Sequence, residues 1–343
     1  MMGPGNLLLL RGDEVVELFR GREAEIVDAV RSAYLVSERG DVSMPNCPFL
    51  RFPGNETDRI IPKPAFLGGD FQIAGIKWIA SFPLNLSKGA ERASATLILN
   101  STETGVPLAV MESSVISAYR TAASAALGAA VLRGDTLATT VGIMGCGLIN
   151  FETLRFLSKL RPEIRTILLF DVSRDRALQF QRKCLELDTD REIVILESGL
   201  ELFGQADIIS VATTATTPHL DHISGCQGDD VILHISLRDF TPQAVLMADN
   251  VVDDIEHVCS NNTSLDLTAR LRGNRDFIRT TIGAVLSGKQ PPRVRGRTAM
   301  FSPFGLGILD LALGHLAYWL ANREGAGTVI DNFLPAHWTT RSY

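Results

Sequence analysis

Four apolar runs, "TTVGIMG" (139–145), "TILLFD" (166–171), "ADIISVATT" (206–214) and "DVILHIS" (230–236), alternate with stretches of helical pattern. The intervals between them match βαβ units, and strands joined through crossover helices lie side by side as a parallel sheet with helices on both faces. The second half of the chain therefore reads as a doubly wound, Rossmann-type α/β domain spanning 131–306.

The first run leads into "GCGLIN", and the helical stretch "LINFETLRFLSKL" follows it. A Gly-x-Gly pair between strand and helix is the geometry that brings a pyrophosphate to a helix N-terminus. Gly145 allows the tight turn, and Gly147 lets the backbone approach the phosphates. Asn150 replaces the third small residue of that fingerprint, a position that governs helix–strand packing more than phosphate contact. A slightly displaced helix is the expectation. The second run ends in Asp171, 24 residues beyond Gly147, where a carboxylate accepts hydrogen bonds from ribose hydroxyls and repels a 2′-phosphate. NAD is favoured over NADP on this ground, against which stands the nearby Arg174. A glycine turn without a ligand is the alternative. The residues expected to bind cofactor are Gly145, Gly147, Leu148, Ile149, Asp171, Thr213 and Asp310.

The N-terminal half has another rhythm. Residues 22–38 place Ile26, Ala29, Val30 and Ala33 on one helical stripe. Extended segments follow at 73–82, 94–100 and 107–113, separated by Gly, Pro and Asn turn signals, so a sheet is expected. Residues 115–132 form a helix of small side chains able to pack closely on a backbone or a ligand. A last apolar helix, about 307–322, follows the Rossmann part and is apolar enough to return to the N-terminal sheet. The expected domains are 1–130 with 307–343, for substrate binding and dimerisation, and 131–306 for the nucleotide.

Several charged residues sit where charge is costly. Lys77 lies in the middle of the strand "IAGIKWIASF", either facing a ligand or snorkelling at a sheet edge. Arg120, among alanines and serines that cannot shield it, calls for an ion pair or an anionic ligand. Arg51 and Arg92 add two cations at segment edges; singly they read as surface residues, together as a carboxylate-binding set. Asp239, after the strand "VILHIS", lies outside the carboxyl end of the sheet, where such folds keep catalytic groups, or else caps a helix. Asp310 either caps the last helix or faces the nicotinamide, and the second is favoured.

What is missing narrows the class. The net charge is −6, without a run of five like charges, so nothing points to nucleic acid or an anionic membrane. The opening "NLLLL" is too short for a secretory core or a membrane span, and a cytoplasmic protein is expected. Cys47, Cys146, Cys184, Cys226 and Cys259 are odd in number and widely spaced, and read as reduced thiols. The six histidines, at 219, 222, 234, 257, 315 and 337, show no metal spacing and read as structural.

The strings "IAGIKWIASFPLN", "ERASATLILNSTETGVPLAVMESS", "ISAYRTAASAA", "GIMGCGLIN" and "GLGILDLA" occur together in the order and spacing of the ornithine cyclodeaminase and mu-crystallin family, which the chain resembles over nearly its whole length. Within it, "FLRFP", "DRIIPKPAFLGG" and "KWIASFP" look most like the branch that makes 2,3-diaminopropionate for siderophores and peptide antibiotics. The resemblance implies that Lys77 matches the family's active-site lysine, Arg120 its substrate-carboxylate arginine and Asp239 its catalytic aspartate. It implies that Arg51 and Arg92 match arginines that contact substrate carboxylates in parts of the family. It also implies a homodimer joined through the N-terminal sheets. The cyclodeaminases carry a glutamate before the Met-Pro of "ELMP", where this chain has Ile61 and, in place of the methionine, Lys63. An extra lysine suits a more acidic substrate than ornithine. The implied reaction is the NAD-dependent oxidative cleavage of N-(2-amino-2-carboxyethyl)-L-glutamate, which carries three carboxylates. The rivals are a cyclodeaminase that recycles its NAD, a non-catalytic ligand binder, and a reductase of smaller substrates.

Overall fold

The structure, a computed structural model, describes residues 5–46, 49–187, 189–290, 293 and 296–339. Cys47 lies outside them. The chain divides into two compact units, residues 1–120 with 306–343, and residues 121–305. The division falls inside the continuous helix Ser114–Arg133, ten residues before the boundary expected at 130.

The first unit is built on one mixed sheet. Its strands are β1 (Leu7–Leu10), β2 (Val42–Ser43), β3 (Leu50–Phe52), β4 (Asn55–Leu67), β5 (Ile73–Ser81), β6 (Ala93–Ser101), β7 (Pro107–Glu112) and the C-terminal β16 (Thr328–Ile330). They lie in the order β16-β1-β7-β6-β5-β4-β2, with β3 paired to β4. The helix Gly307–Glu324 packs on the face carrying Gly75, Leu97 and Leu99. A Cβ on Gly314 would stand 2.3 Å from Leu97, so this helix can approach only because that position is bare. Ile26, Val30, Ala33 and Tyr34 of the helix Glu23–Glu38 are buried, and Ala29 of the expected stripe is half-buried. β4 is the longest strand and carries Pro62 and Pro64. Those prolines are tolerated because β4 pairs with β5 along one side, whereas β3 reaches only Ile60 and β2 only Phe66 on the other.

The second unit holds eight strands, all parallel: β8 (Thr140–Met144), β9 (Thr166–Phe170), β10 (Glu192–Ile195), β11 (Ile208–Val211), β12 (Val231–His234), β13 (Asp249–Val252), β14 (Ile278–Thr281) and β15 (Ala299–Ser302). Their order is β10-β9-β8-β11-β12-β15-β13-β14, so the chain winds outwards in both directions from β8 and β11. Ligands of such sheets gather at the carboxyl ends of the strands where the winding reverses. The four expected runs are β8, β9, β11 and β12. The small-residue helix packs as its composition implies: a Cβ on Gly128 would lie 2.4 Å from the Phe301 ring of β15. By length and composition Ser114–Arg133 could cross a membrane, but two thirds of its apolar window is buried inside the fold.

Candidate functional site

In the second unit, β8 ends at Met144 and the chain turns through Gly145, whose φ of +91° is a conformation that favours glycine. A Cβ there would also stand 2.5 Å from the Ala212 carbonyl oxygen. Gly147 is the N-cap of the helix Leu148–Leu160 and provides no side-chain cap, which leaves first-turn amides for another acceptor. Beyond its own chain neighbours, no atom of the described residues lies within 4 Å of where its Cβ would be. Bare amides, an open cradle and the positive end of a helix suit an anion such as a pyrophosphate. Leu148, 58% exposed, opens this turn beside Ile149.

Asp171 directly follows the adjacent strand β9. Its carboxylate accepts from the Cys146 N–H at 2.8 Å and the Ser173 N–H at 2.9 Å, so it is fixed beside the glycine turn. Arg174, the residue that weighed against NAD, bonds to Glu197 at 2.7 Å. The residues present thus fit a dinucleotide whose adenosine ribose carries free hydroxyls.

Asn150 is fully buried, and its amide donates to the carbonyls of Met144 (2.9 Å) and Gly145 (2.7 Å) while its oxygen accepts from Ser210 Oγ at 2.7 Å. Where the fingerprint has a small residue packed by contact, this chain ties helix, turn and β11 together by hydrogen bonds.

Asp239 lies in the same unit, completely buried. It does not cap the following helix, because Thr241 accepts the Ala244 N–H and takes that role. Its carboxylate instead accepts from the hydroxyls of Thr213 and Ser236. Burial works to raise this carboxyl, but the neighbouring His234 and the two hydroxyls outweigh it and hold the group below the usual range. His234 Nε2 lies 3.4 Å from the Asp239 backbone nitrogen and Nδ1 lies 3.2 Å from Ser302 Oγ. Burial pushes the His234 imidazole below its ordinary value, against the pull of Asp239. Thr213, expected among the cofactor contacts, is thereby a partner of Asp239. His234 and Ser236 went unrecognised in the sequence, although "HISLRD" places all three within six residues.

In the first unit, Lys77 is 1% exposed on β5, between β4 and β6, so the edge-snorkelling alternative falls. Its ammonium donates to Asp310 Oδ1 at 2.8 Å and to Ser117 Oγ at 3.0 Å. The Arg120 Nε donates to the same Asp310 oxygen at 3.1 Å. Lys63 stands directly opposite Lys77 on β4 and adds to the positive field at both Lys77 and Asp310. Burial drives Lys77 down to about 7 in spite of Asp310. Burial opposes the ionised form of Asp310 as well, yet the two cations keep its carboxyl below the ordinary range. The Asp310 carboxylate is the counter-ion of Lys77 and Arg120, with Oδ2 buried and lacking a hydrogen-bond partner among the described residues. Three cations around one carboxylate leave a local excess of positive charge. Arg51 lies exposed on β3, and Arg92 is half-buried just before β6; the structure does not bring either to Asp310.

Among the described residues no group of three histidine, cysteine or acidic side chains gathers to hold a metal. The thiols of Cys146, Cys184 and Cys226 are pushed up to about 12 by burial, which makes them poor nucleophiles.

The model of the ornithine cyclodeaminase/mu-crystallin family matches residues 9–323. An N-((2S)-2-amino-2-carboxyethyl)-L-glutamate dehydrogenase of Staphylococcus aureus is 28% identical over 333 residues, 95% of this chain and 98% of that protein. A solved Delta(1)-pyrroline-2-carboxylate reductase of Thermococcus litoralis, in complex with NADH and L-proline, superposes with a TM-score of 0.86 at 25% identity, covering 94% of this chain and 99% of that one. An archaeal alanine dehydrogenase dimer with bound NAD gives 0.84 at 25% identity, covering 95% and 99%.

Proposed function

The chain belongs to the ornithine cyclodeaminase/mu-crystallin family, and from that premise we propose that it is an NAD-dependent dehydrogenase of an amino-acid-derived secondary amine, N-(2-amino-2-carboxyethyl)-L-glutamate, serving natural-product biosynthesis. The observation that carries this reading is the charge excess in the first unit, where Lys63, Lys77 and Arg120 surround a single carboxylate. A substrate with three carboxylates uses such an excess, whereas ornithine's distal ammonium would be repelled by it. The Staphylococcus aureus relative, named for this substrate, supports the choice.

Bound NAD would supply the hydride acceptor. The backbone amides of the 145–149 turn would hold its pyrophosphate, and Asp171 would accept from its ribose hydroxyls. Lys77 and Arg120 would hold the carboxylate beside the glutamate carbon that loses hydride. Asp310 keeps both cations in place. Asp239, held ionised by Thr213 and Ser236, accepts the amine proton as the carbon–nitrogen double bond forms. Once that proton has passed to solvent, the carboxylate takes one from the water that adds to the imine carbon and returns it to the nitrogen, while Lys77 stabilises the charge that develops. Breaking the carbon–nitrogen bond yields 2-oxoglutarate and 2,3-diaminopropionate.

The reading extends to assembly. On the sheet face opposite the helix Gly307–Glu324, Trp78 is 45% exposed and Ile76, Ile98 and Val110 are only half-buried. Such a face suits a homodimer in the cytoplasm.

Absorbance at 340 nm with purified protein, NAD and the amine, beside ornithine, lysine and alanine, tests the function. NADH appearing with the amine alone, in step with 2-oxoglutarate and lost in Lys77→Ala and Asp239→Asn, is the expected result. Proline formed from ornithine without net NADH would make it a cyclodeaminase, and silence with every substrate would make it a binding protein.

A further inference from the structure

β8, β9 and β10, the first strands of the second unit, end level with one another, with β9 in the middle. Met144 pairs with Phe170, and Ile195 with Leu169. The ladder runs on past the strands: the Gly145 N–H donates to the Phe170 carbonyl and the Leu196 N–H to the Leu169 carbonyl, both at 2.9 Å. By this register Gly145, Asp171 and Glu197 form a row across the carboxyl ends, on strands about 4.8 Å apart. Two carboxylates therefore line up beside the glycine turn.

The two are held differently. Asp171 is fixed by the amides of Cys146 and Ser173. Glu197 is taken up by a side chain, because Arg174 Nη1 donates to its Oε1 at 2.7 Å. Arg174 opens the helix Arg174–Leu187 directly after the turn through Val172 and Ser173, which is tied by the Ser173 N–H to Asp171 and by the Arg176 N–H to Ser173 Oγ. A guanidinium near the carboxylate that would serve the ribose hydroxyls is the arrangement that accommodates a 2′-phosphate, but here the guanidinium is already paired.

A 2′-phosphate adds about two negative charges to that ribose. To gain the fork of hydrogen bonds from Arg174 it must displace Glu197 and then remain beside it. The Arg174 and Glu197 side chains are 63% and 82% exposed, and ion pairs so exposed hold by about fivefold at most. Repulsion between Glu197 and the phosphate acts in the same direction.

We infer that Glu197 is a coenzyme-selectivity residue: by occupying Arg174 it withholds the cation that NADP would use, and so reinforces the exclusion that Asp171 begins. This role depends on the nucleotide site alone, whichever amine is oxidised. A second arginine, Arg176, acts on the Cys146 thiol in the glycine turn, so the effect must be shown to pass through Arg174.

The change in nucleotide fluorescence on binding, without amine and at low ionic strength, gives Kd for NADH and NADPH in wild type, Glu197→Gln, Arg174→Gln and the double variant. Both side chains are exposed, so none of these changes should disturb folding. Wild type is expected to bind NADH more tightly than NADPH. Glu197→Gln should tighten NADPH about three- to tenfold and leave NADH within about twofold. Arg174→Gln should weaken NADPH at least about threefold more in the Glu197→Gln protein than in wild type, because only the freed guanidinium reaches the phosphate. If NADPH binds wild type too weakly to measure, the same four proteins are compared with Asp171→Ser added. NADPH affinity that does not change in Glu197→Gln, or that changes additively with Arg174→Gln, overturns the inference, while NADH binding by wild type still upholds the nucleotide site. Wild type that binds neither nucleotide overturns both, and wild type that binds NADPH as tightly as NADH removes the exclusion assigned to Glu197.

Discussion

Replacing Lys77 by methionine separates the cost of burying a charge from everything else the strand does. Lys77 is 1% exposed, and burial lowers it from 10.5 to about 7 against the pull of Asp310. Below about pH 7 the ammonium is present in both folded and unfolded chains, and its burial cost is fully felt. Between about 7 and 10.5 only the unfolded chain keeps the proton, so stability rises with pH; above 10.5 the cost is gone. Each pH unit in that window is worth about 1.4 kcal/mol, which makes the whole span about 5 kcal/mol and the interval from pH 7.5 to 9.0 about 2 kcal/mol. Methionine preserves the apolar stem and does not titrate. Urea unfolding of both proteins at the two pH values should show the wild type gaining about 2 kcal/mol more than Lys77→Met over this interval, since groups that do not touch Lys77 cancel in the difference. If the two proteins respond to pH in parallel to within about 0.5 kcal/mol, Lys77 does not titrate in this window and the argument from burial is wrong.

Two further outcomes follow from buried polar contacts. Asp310→Asn leaves Lys77 and Arg120 without their shared carboxylate and should cost about 3–5 kcal/mol, seen as an earlier urea midpoint, together with loss of turnover; a midpoint within error of wild type would remove Asp310 from its counter-ion role. Asn150→Ala breaks the bonds to Met144, Gly145 and Ser210 and strands a buried hydroxyl, a loss of about 2–4 kcal/mol. Its KM for NAD should rise more than its KM for the amine, and equal rises would refute a specific role in holding the nucleotide turn.

Much of the fold was legible because periodicity records which faces are buried. The four runs that became β8, β9, β11 and β12 are apolar on both faces, as a parallel sheet demands. β4 escaped because Pro62 and Pro64 are strand-breaking signals, and only the tertiary fact that β3 and β2 stop short of them makes them harmless. The site was half legible in a similar way. A lysine amid Ile76, Trp78 and Ile79 announces an expense that something must offset, but the offsetting carboxylate lies 233 residues away on another element, and no local pattern connects them. Asn150 stands out in the sequence only as a departure from the glycine fingerprint that predicts a slightly displaced helix, since its value resides in carbonyls that only the folded turn presents. His234 was grouped with scattered histidines because its contacts to Ser302 and Asp239 arise at the carboxyl ends of two neighbouring strands.

The charge excess links stability to binding. With Lys63, Lys77 and Arg120 about one carboxylate, the first unit carries positive charge that burial opposes, and part of the penalty is shed when Lys77 gives up its proton near pH 7. A substrate carboxylate arriving there supplies the missing counter-charge and favours the ammonium again, so binding should be accompanied by proton uptake at pH 8, where Lys77 is largely neutral beforehand. Titration calorimetry of the amine in two buffers of different ionisation enthalpy reads that uptake directly. A proton count that is positive in the wild type and vanishes in Lys77→Met would place the carboxylate against Lys77. An identical count in both proteins would place it elsewhere, and the role given to this lysine would fall with it.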